Sequence, residues 1–590
     1  MVQRYFGRKK KIRLIVVPES ASDELEFAAS EFKTIADRAT DKEWKIVTDS
    51  DADDEYLERV VIGDASEQTL DKTGITTSDG YKISADGNAY YVVGGSDNGV
   101  VYGVYGLLHN LYGYEYYGID NYELNDDYIV GGDFNVTVNP DFEMRSVSYA
   151  PVANSVTYRY RLGFGPKDVV TINGKSGHNS FEYLKPATYL STHPKWYDNA
   201  SEPHQLCYTA HGDAVEYSAM LDAAFTKLKE VLIAQPGKHI VAFSTQDNEH
   251  SCSCSSCASY THVSATLVRF LNDLSDMTYN WFAGEASAYA REVVFMFYAY
   301  LDYADAPTGD GEKCNEHVIP ELALTSANYT QNLTHAKNTA AAANISAWQT
   351  AAPYGIGSYL YSANYKLYLV PYDTFSAMQA WYQAYNAAGS EYVYNLGTSG
   401  ETAISTGFIG LKIYLESKLS WDADADVSAL TDAYFKATYG SAWSQMKALY
   451  TQYHSDCVAN ANKYASGDPG KPTVETEAGY PFLSGVISAG PYLLDKNFWT
   501  SAQISTWRGY IASALSAISS LEGSDPDLYD VLFKRITLER IWVNYMDYKI
   551  YNNTSVAETL YNDIVAAGIT KEKEGTSIDG LKEELSAIIG

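Results

Sequence analysis

HIVAFSTQDNEHSCSCSSC, residues 239–257, is the stretch on which the reading of the fold turns. HIVAFST (239–245) is short, apolar and β-branched, as a buried strand is. Asp247 and Glu249 stand where that strand should end, and three of the six cysteines follow within a few positions. Seven further segments have strand character: EMRSVSY (143–149), DVVTI (168–172), HQLCYTA (204–210), EVVFMFYAY (292–300), HVIPELAL (317–324), NISAWQT (344–350) and EYVYNLG (391–397). Helical patterns such as YSAMLDAAFTKLKEVLIAQ and ATLVRFLNDLSDMTYNWFA separate most of them. Eight strand–helix units predict a (β/α)8 TIM-type barrel over residues 140–420, with a doubly wound open sheet as the alternative.

The flanking regions read differently. Residues 1–139 combine the strand KIRLIVVP, the helical stretch ASDELEFAASEFKTIADRAT, a hairpin turning at DGN and a Gly-rich turn into a second helix. That is a small α/β domain. Residues 421–590 show helical segments, no convincing strand, and a loop SGDPGKPTVETEAGYP between two helical groups. They predict a C-terminal α-helical domain.

Composition narrows the function. The 590 residues carry a net charge of −31, and the one basic cluster, Arg8 to Arg13, lies at the extreme N-terminus. Nucleic acid is therefore not expected as a partner, since phosphate binding needs clustered Lys and Arg. No apolar run reaches the ~18 residues of a membrane span, and IRLIVV is too short for the apolar core of a signal peptide. The 52 tyrosines offer flat faces with polar tips, a combination suited to stacking on sugars but also common in cores.

In barrels of this kind, the C-terminal strand ends carry the active site. Asp247 and Glu249, two residues apart, make a carboxylate pair in which one group can act as an acid while the other stays ionised. The last strand leads into GTSGE with Glu401. Trp348, Tyr354, Tyr359, Tyr361 and Tyr365 lie on the expected seventh strand and its loop, as an aromatic wall for a sugar or as loop packing. His178 is a candidate partner for a substrate hydroxyl, and Asp302 and Asp305 are weaker candidates. Cys252, Cys254 and Cys257 have metal-ligand spacing; a fourth ligand would come from His250, Cys207 or Cys314. A structural zinc, a disulfide and free thiols all remain open. No cofactor is expected for catalysis, because hydrolysis by carboxylates needs none.

The ordered set YLSTHPKWYD, HQLCYTAHGDAVEY, HIVAFSTQDNEHSCSCSSC and LKIYLESKLSWDADADV resembles the domain of unknown function 4838 group, and within it glycoside hydrolase family 163. GYKI…GGSDNGVVYGVYGLL is similar to the small α/β domain that precedes the barrel in family 20 hexosaminidases and α-glucuronidases. The resemblance implies a glycan or glycoprotein substrate, an extracellular or cell-surface setting, and cleavage of β-N-acetylglucosaminyl linkages within N-glycans. It implies a retaining, substrate-assisted mechanism and puts Asp247 on the family's motif, holding the acetamido group; the reading of the strand-end carboxylates adds Glu249 as the acid and Glu401 as the reserve acid. The alternatives are an α-glucuronidase-like or other glycosidase, a non-catalytic glycan-binding protein, and a metalloprotein built around the Cys cluster.

Overall fold

A computed structural model describes residues 13–40, 43–51, 58–64, 71–87, 89–125, 134–165, 168–465, 494–496 and 498–590. Most of the basic cluster at 8–13, Asn88 of the expected hairpin turn, and the loop SGDPGKPTVETEAGYP lie outside the described residues. The chain divides into two compact units, Met1–Glu143 with Ser155–Gly165 and Ile413–Trp443, and Met144–Asn154 with Pro166–Lys412 and Ser444–Gly590.

The first unit holds a six-stranded sheet. Its strands are β1 (Arg13–Val17), β2 (Trp44–Thr48), β3 (Arg59–Ile62), β4 (Tyr81–Asp86), β5 (Ala89–Gly94) and β8 (Val136–Val138), in the order β2-β1-β3-β5-β4-β8. A separate two-stranded ribbon pairs β6 (Glu115–Gly118) with β7 (Asn121–Glu123). Strand β4 runs antiparallel to both of its neighbours, while the other pairs are parallel. Helices α1 (Asp23–Thr40) and α2 (Asp97–Tyr112) supply Phe32 and Leu107 to a core shared with Ile15, Val60 and Val92. Ser96 caps α2 by accepting from the Gly99 N–H, and Gly113 ends it at φ 61°, a left-handed conformation that favours glycine.

The second unit is built on a seven-stranded parallel sheet. Its strands are β9 (Met144–Val147), β10 (Val169–Val170), β11 (Ile240–Ala242), β12 (Val294–Ala299), β13 (Val318–Leu322), β14 (Ile356–Tyr361) and β15 (Ser390–Leu396). The order is β10-β11-β12-β13-β14-β15-β9. Strands follow one another in chain order and the first pairs with the last, which is the connectivity of a (β/α) barrel. The sheet has seven strands, not the eight expected, and among the described residues no ladder joins β9 to β10. It is a half-barrel sheet.

Three sequence-based expectations are corrected here. HQLCYTA is irregular backbone, held by one isolated bridge between Tyr197 and Leu206 and ending in left-handed turns at Ala210 and His211. NISAWQT lies in the helix Thr339–Ala351. Its run of alanines favours helix, and its buried residues Ala341, Ile345, Trp348 and Ala351 recur at helical spacing. The stretch after it, read as a loop, contains β14. In the C-terminal region, read as strand-free, β16 (Lys571–Lys573) and β17 (Thr576–Ser577) form a short hairpin. The helices there enclose an aromatic core in which Tyr453, Trp499, Trp507 and Trp542 pack together, Tyr453 stacked on Trp499 and the other pairs edge-on or tilted.

Candidate active site

Alternation along the strands sorts the side chains of the half-barrel. On β12, Phe297 packs outward against helix-borne Trp348, while Tyr298 faces Tyr359 of β14. Tyr359 in turn packs on Tyr361 and on Tyr394 of β15. A tyrosine column thus occupies the sheet interior. Burial, followed by the neighbouring ionisable groups, pushes Tyr298, Tyr359 and Tyr361 well above the usual phenol range. They are neutral walls with hydroxyls available for hydrogen bonding.

Above this column opens a cavity of about 440 Å³, within the size range of ligand sites. His178, Asp247, Tyr298, Tyr300, Tyr359, Tyr361, Tyr365, Lys366, Ser399, Lys573 and Glu574 are among its lining residues. Asp247 follows β11, Tyr300 follows β12, Tyr365 and Lys366 follow β14, and Ser399 follows β15. Every contribution from the sheet therefore comes from the C-terminal strand ends, as the barrel rule requires.

Asp247 is exposed to the cavity and accepts a hydrogen bond from the Tyr300 hydroxyl at 3.2 Å. Burial and then the Asp247 charge push the Tyr300 phenol up to about 12, so Tyr300 remains a donor. The backbone bearing Asp247 is stitched on both sides. Gln205 donates to the Gln246 carbonyl at 2.8 Å and to Asn248 Oδ1 at 2.9 Å, and accepts from the Gln246 N–H at 3.0 Å. Gln246 reaches the other way, donating to Ser180 Oγ at 2.9 Å and to the His178 carbonyl at 3.2 Å.

His178 Nδ1 lies 2.9 Å from the Thr245 carbonyl, which can only accept, so Nδ1 carries a proton. When the ring is neutral, Nε2 is left as an acceptor. Gly177 precedes it for a steric reason: a Cβ there would stand 2.5 Å from Tyr298 Oη.

The far rim comes from the β16–β17 hairpin. The Glu574 N–H donates to the Tyr365 carbonyl and the Tyr368 N–H donates to the Glu572 carbonyl, both at 3.0 Å. Burial, reinforced by the Asp247 charge and opposed by Lys366, holds the Glu574 carboxyl above its ordinary range. A second, deeper carboxyl is Glu321 on β13, which burial alone pushes up to about 8.

The sequence candidates divide accordingly. Asp247, His178, Tyr359, Tyr361 and Tyr365 line the cavity. Glu249 is exposed; its charge is felt by Tyr300, but it is not among the lining residues. Glu401 is fully buried and accepts from the N–H groups of Thr402, Ala403, Thr570 and Lys571 and from the Thr570 hydroxyl. That carboxylate pins the start of the hairpin and is not open to a substrate. Trp348 is buried and donates to the Ala304 carbonyl at 2.8 Å, away from the cavity. Tyr354 is 59% exposed in the turn before β14 and is also outside the lining. Asp302 accepts from Ser251 at 2.7 Å, and Asp305 stands near His262. Sequence reasoning missed Tyr298, Tyr300, Lys366, Lys573 and Glu574. Tyr298 and Tyr300 stand at the end of a strand the sequence did identify, so the strand-end rule could have found them. Nothing local marks Lys573 or Glu574.

Cys252, Cys254 and Cys257 gather with Cys207, their four Sγ atoms all within 4.8 Å of one another. Cys314 is buried elsewhere, its N–H bonded to the Ala351 carbonyl, and His250 stacks on His204. All six cysteines are free, so the disulfide alternative is not the state of this structure.

The half-barrel and its strand-end cavity place the chain among the α/β folds that carry their sites at the C-terminal ends of parallel strands. The chain belongs to the DUF4838 family, a domain of unknown function whose model matches residues 122–451. Residues 4–107 match the glycosyl hydrolase family 67 N-terminus. Among solved structures the fold is similar to a GH115 4-O-methyl-α-glucuronidase with specificity for decorated arabinogalactans, at 12% identity and TM-score 0.51, covering 98% of this chain and 76% of that one. A GH138 enzyme targeting pectin rhamnogalacturonan II matches at 10% identity and TM-score 0.46, covering 98% of each chain. No curated protein matches the sequence. Among the described residues, no helix is long and apolar enough to cross a membrane.

Proposed function

We propose that the chain is a glycoside hydrolase that cleaves β-N-acetylglucosaminyl linkages within glycans such as N-glycans, by a retaining, substrate-assisted route. The observation that carries this reading is the Asp247–Tyr300 pair at the mouth of a tyrosine-walled cavity that also holds Glu574. A carboxylate beside a neutral phenol suits an acetamido group: Asp247 accepts its N–H and Tyr300 donates to its carbonyl oxygen. The tyrosine faces suit a pyranose ring. Matches to a glycosyl hydrolase N-terminal region and fold likeness to a glucuronidase support the broader class.

In the first step the acetamido oxygen attacks the anomeric carbon as the bond to the leaving oxygen breaks, and Glu574 gives that oxygen its proton. Asp247 stabilises the positive charge that develops on the acetamido group. In the second step Glu574, now ionised, takes a proton from water as the water attacks the anomeric carbon and displaces the acetamido oxygen, which restores the acetamido group and leaves Glu574 protonated. Glu574 replaces Glu249 as the acid in this scheme because it lines the cavity with Asp247, whereas Glu249 does not, and because its carboxyl is held above its ordinary range.

Glu574→Gln is expected to lower turnover of an aryl β-N-acetylglucosaminide and of a complex N-glycan by about 10²–10⁴-fold. Glu249→Gln is expected to leave it within a few-fold; the reverse result returns the acid role to Glu249. A second reading, a uronide-specific hydrolase, is favoured by Lys366 and Lys573, two cations that could hold a sugar carboxylate in the cavity. Mass spectrometry of a digested glycan panel separates the two. Saturable binding without product from any glycan would instead indicate a non-catalytic glycan receptor.

A further inference from the structure

The four cysteines beside the Asp247 loop are gathered closely enough to share one metal ion. Cys207 Sγ lies 3.8 Å from Cys254 Sγ and 3.7 Å from Cys257 Sγ. A disulfide would bring two sulfurs to about 2.05 Å. Zinc–sulfur bonds of about 2.3 Å in a regular tetrahedron put the sulfurs about 3.8 Å apart. The two Cys207 spacings match that tetrahedral edge, and every other pair lies within 4.8 Å. The surroundings suit thiolates: the His211 N–H donates to Cys207 Sγ at 3.2 Å and the Cys257 N–H to Cys254 Sγ at 3.4 Å. The Thr209 hydroxyl stands 3.2 Å from Cys257 Sγ. Cys207, Cys252 and Cys257 are buried and Cys254 is partly buried, which suits a closed structural site rather than one with an open position.

We propose that Cys207, Cys252, Cys254 and Cys257 bind one zinc ion as a structural tetrathiolate. Binding deprotonates whichever thiols are still protonated and releases those protons to solvent. The ion joins two segments distant in sequence, the irregular 204–212 backbone and the loop after β11. These are the same segments that Gln205 stitches together around Asp247. The metal thereby becomes a positioning device for Asp247, a consequence that rests on the glycosidase reading; the metal content itself does not.

The test is elemental analysis of the full-length chain purified under reducing conditions, followed by exchange with cobalt(II). The proposal expects one zinc per chain and the intense sulfur-to-cobalt charge-transfer and ligand-field bands of a tetrahedral thiolate. Cys207→Ser should lose these bands and most of the zinc, and Cys314→Ser should keep both. A folded wild-type chain without metal that acquires no cobalt spectrum overturns the proposal. So does a disulfide mapped among the four cysteines, or one iron in place of zinc. A zinc-replete chain inactive on every glycan upholds the metal site and counts only against the catalytic reading.

Discussion

Asp247 and Glu574 line one cavity from positions far apart in the second unit's chain, and their anchors differ in kind. Asp247 sits five residues past the end of β11, on backbone that Gln205 and Gln246 stitch to neighbouring loops, with the cysteine cluster close behind. Glu574 sits on a two-stranded hairpin that the sheet does not contain. It stays in place because Glu401, 169 residues before Thr570, gathers the hairpin's first backbone donors around one buried carboxylate. One rim is an extension of the sheet, and the other is a clasp laid over it. Chemistry at such a site depends on two independent supports, which can be broken separately.

The largest effect is expected at the sheet rim. Asp247→Asn keeps the shape but removes the charge that would stabilise the acetamido group. We expect kcat/KM to fall by about 10²–10⁴-fold with an unchanged melting temperature. A change of only a few-fold would take Asp247 out of the chemistry.

Glu401→Ala breaks the clasp. It leaves several part-buried N–H groups without their acceptor, and a loss of about 1–3 kcal/mol is expected in urea denaturation. Amide exchange over 570–577 should rise with it, while exchange around 246–248 should not. A uniform rise in both would show that the two supports are one.

A third prediction concerns the carboxyl beneath both rims. Glu321 is raised from 4.5 to about 8 by burial, so the fold favours its protonated form. Its contribution to stability is full below 4.5 and is lost as pH rises through about 8. Glu321→Gln should flatten the stability profile across that window, as read by urea midpoints at a series of pH values; an unaltered slope would mean that Glu321 is not the titrating group. The raised Glu574 has the same sign for activity: turnover that needs its proton falls as pH rises through its elevated pKa. The smallest effect is expected at Tyr354, exposed and outside the cavity, where Ala should change stability by about 0.5 kcal/mol or less and leave KM unaltered. A raised KM would extend the site beyond the cavity described.

HIVAF, EVVFMFYAY, HVIPELAL and EYVYNLG were readable as strands because each is a compact apolar or alternating run, and short-range periodicity is what a buried strand imposes on sequence. NISAWQT misled because seven residues are too few to separate a period of two from one of three and a half. Only the longer alanine-rich context of residues 339–351 marks the helix. Moving that one strand to the following stretch turns Trp348 from a wall residue into a core residue, and makes Tyr359 and Tyr361 members of the sheet interior.

The parallel α/β character of the second unit, the strand end that presents Asp247 and the grouping of three cysteines with metal-ligand spacing are written in local sequence. These are properties of neighbours along the chain. That Cys207 is the fourth thiol, that Glu401 is a clasp and that Glu574 shares the cavity with Asp247 emerges once the chain is folded. Each of those pairings spans tens to hundreds of residues. Their geometry is fixed by how the elements pack, because hydrogen bonds and sulfur contacts act over a few ångströms of space whatever the separation in sequence.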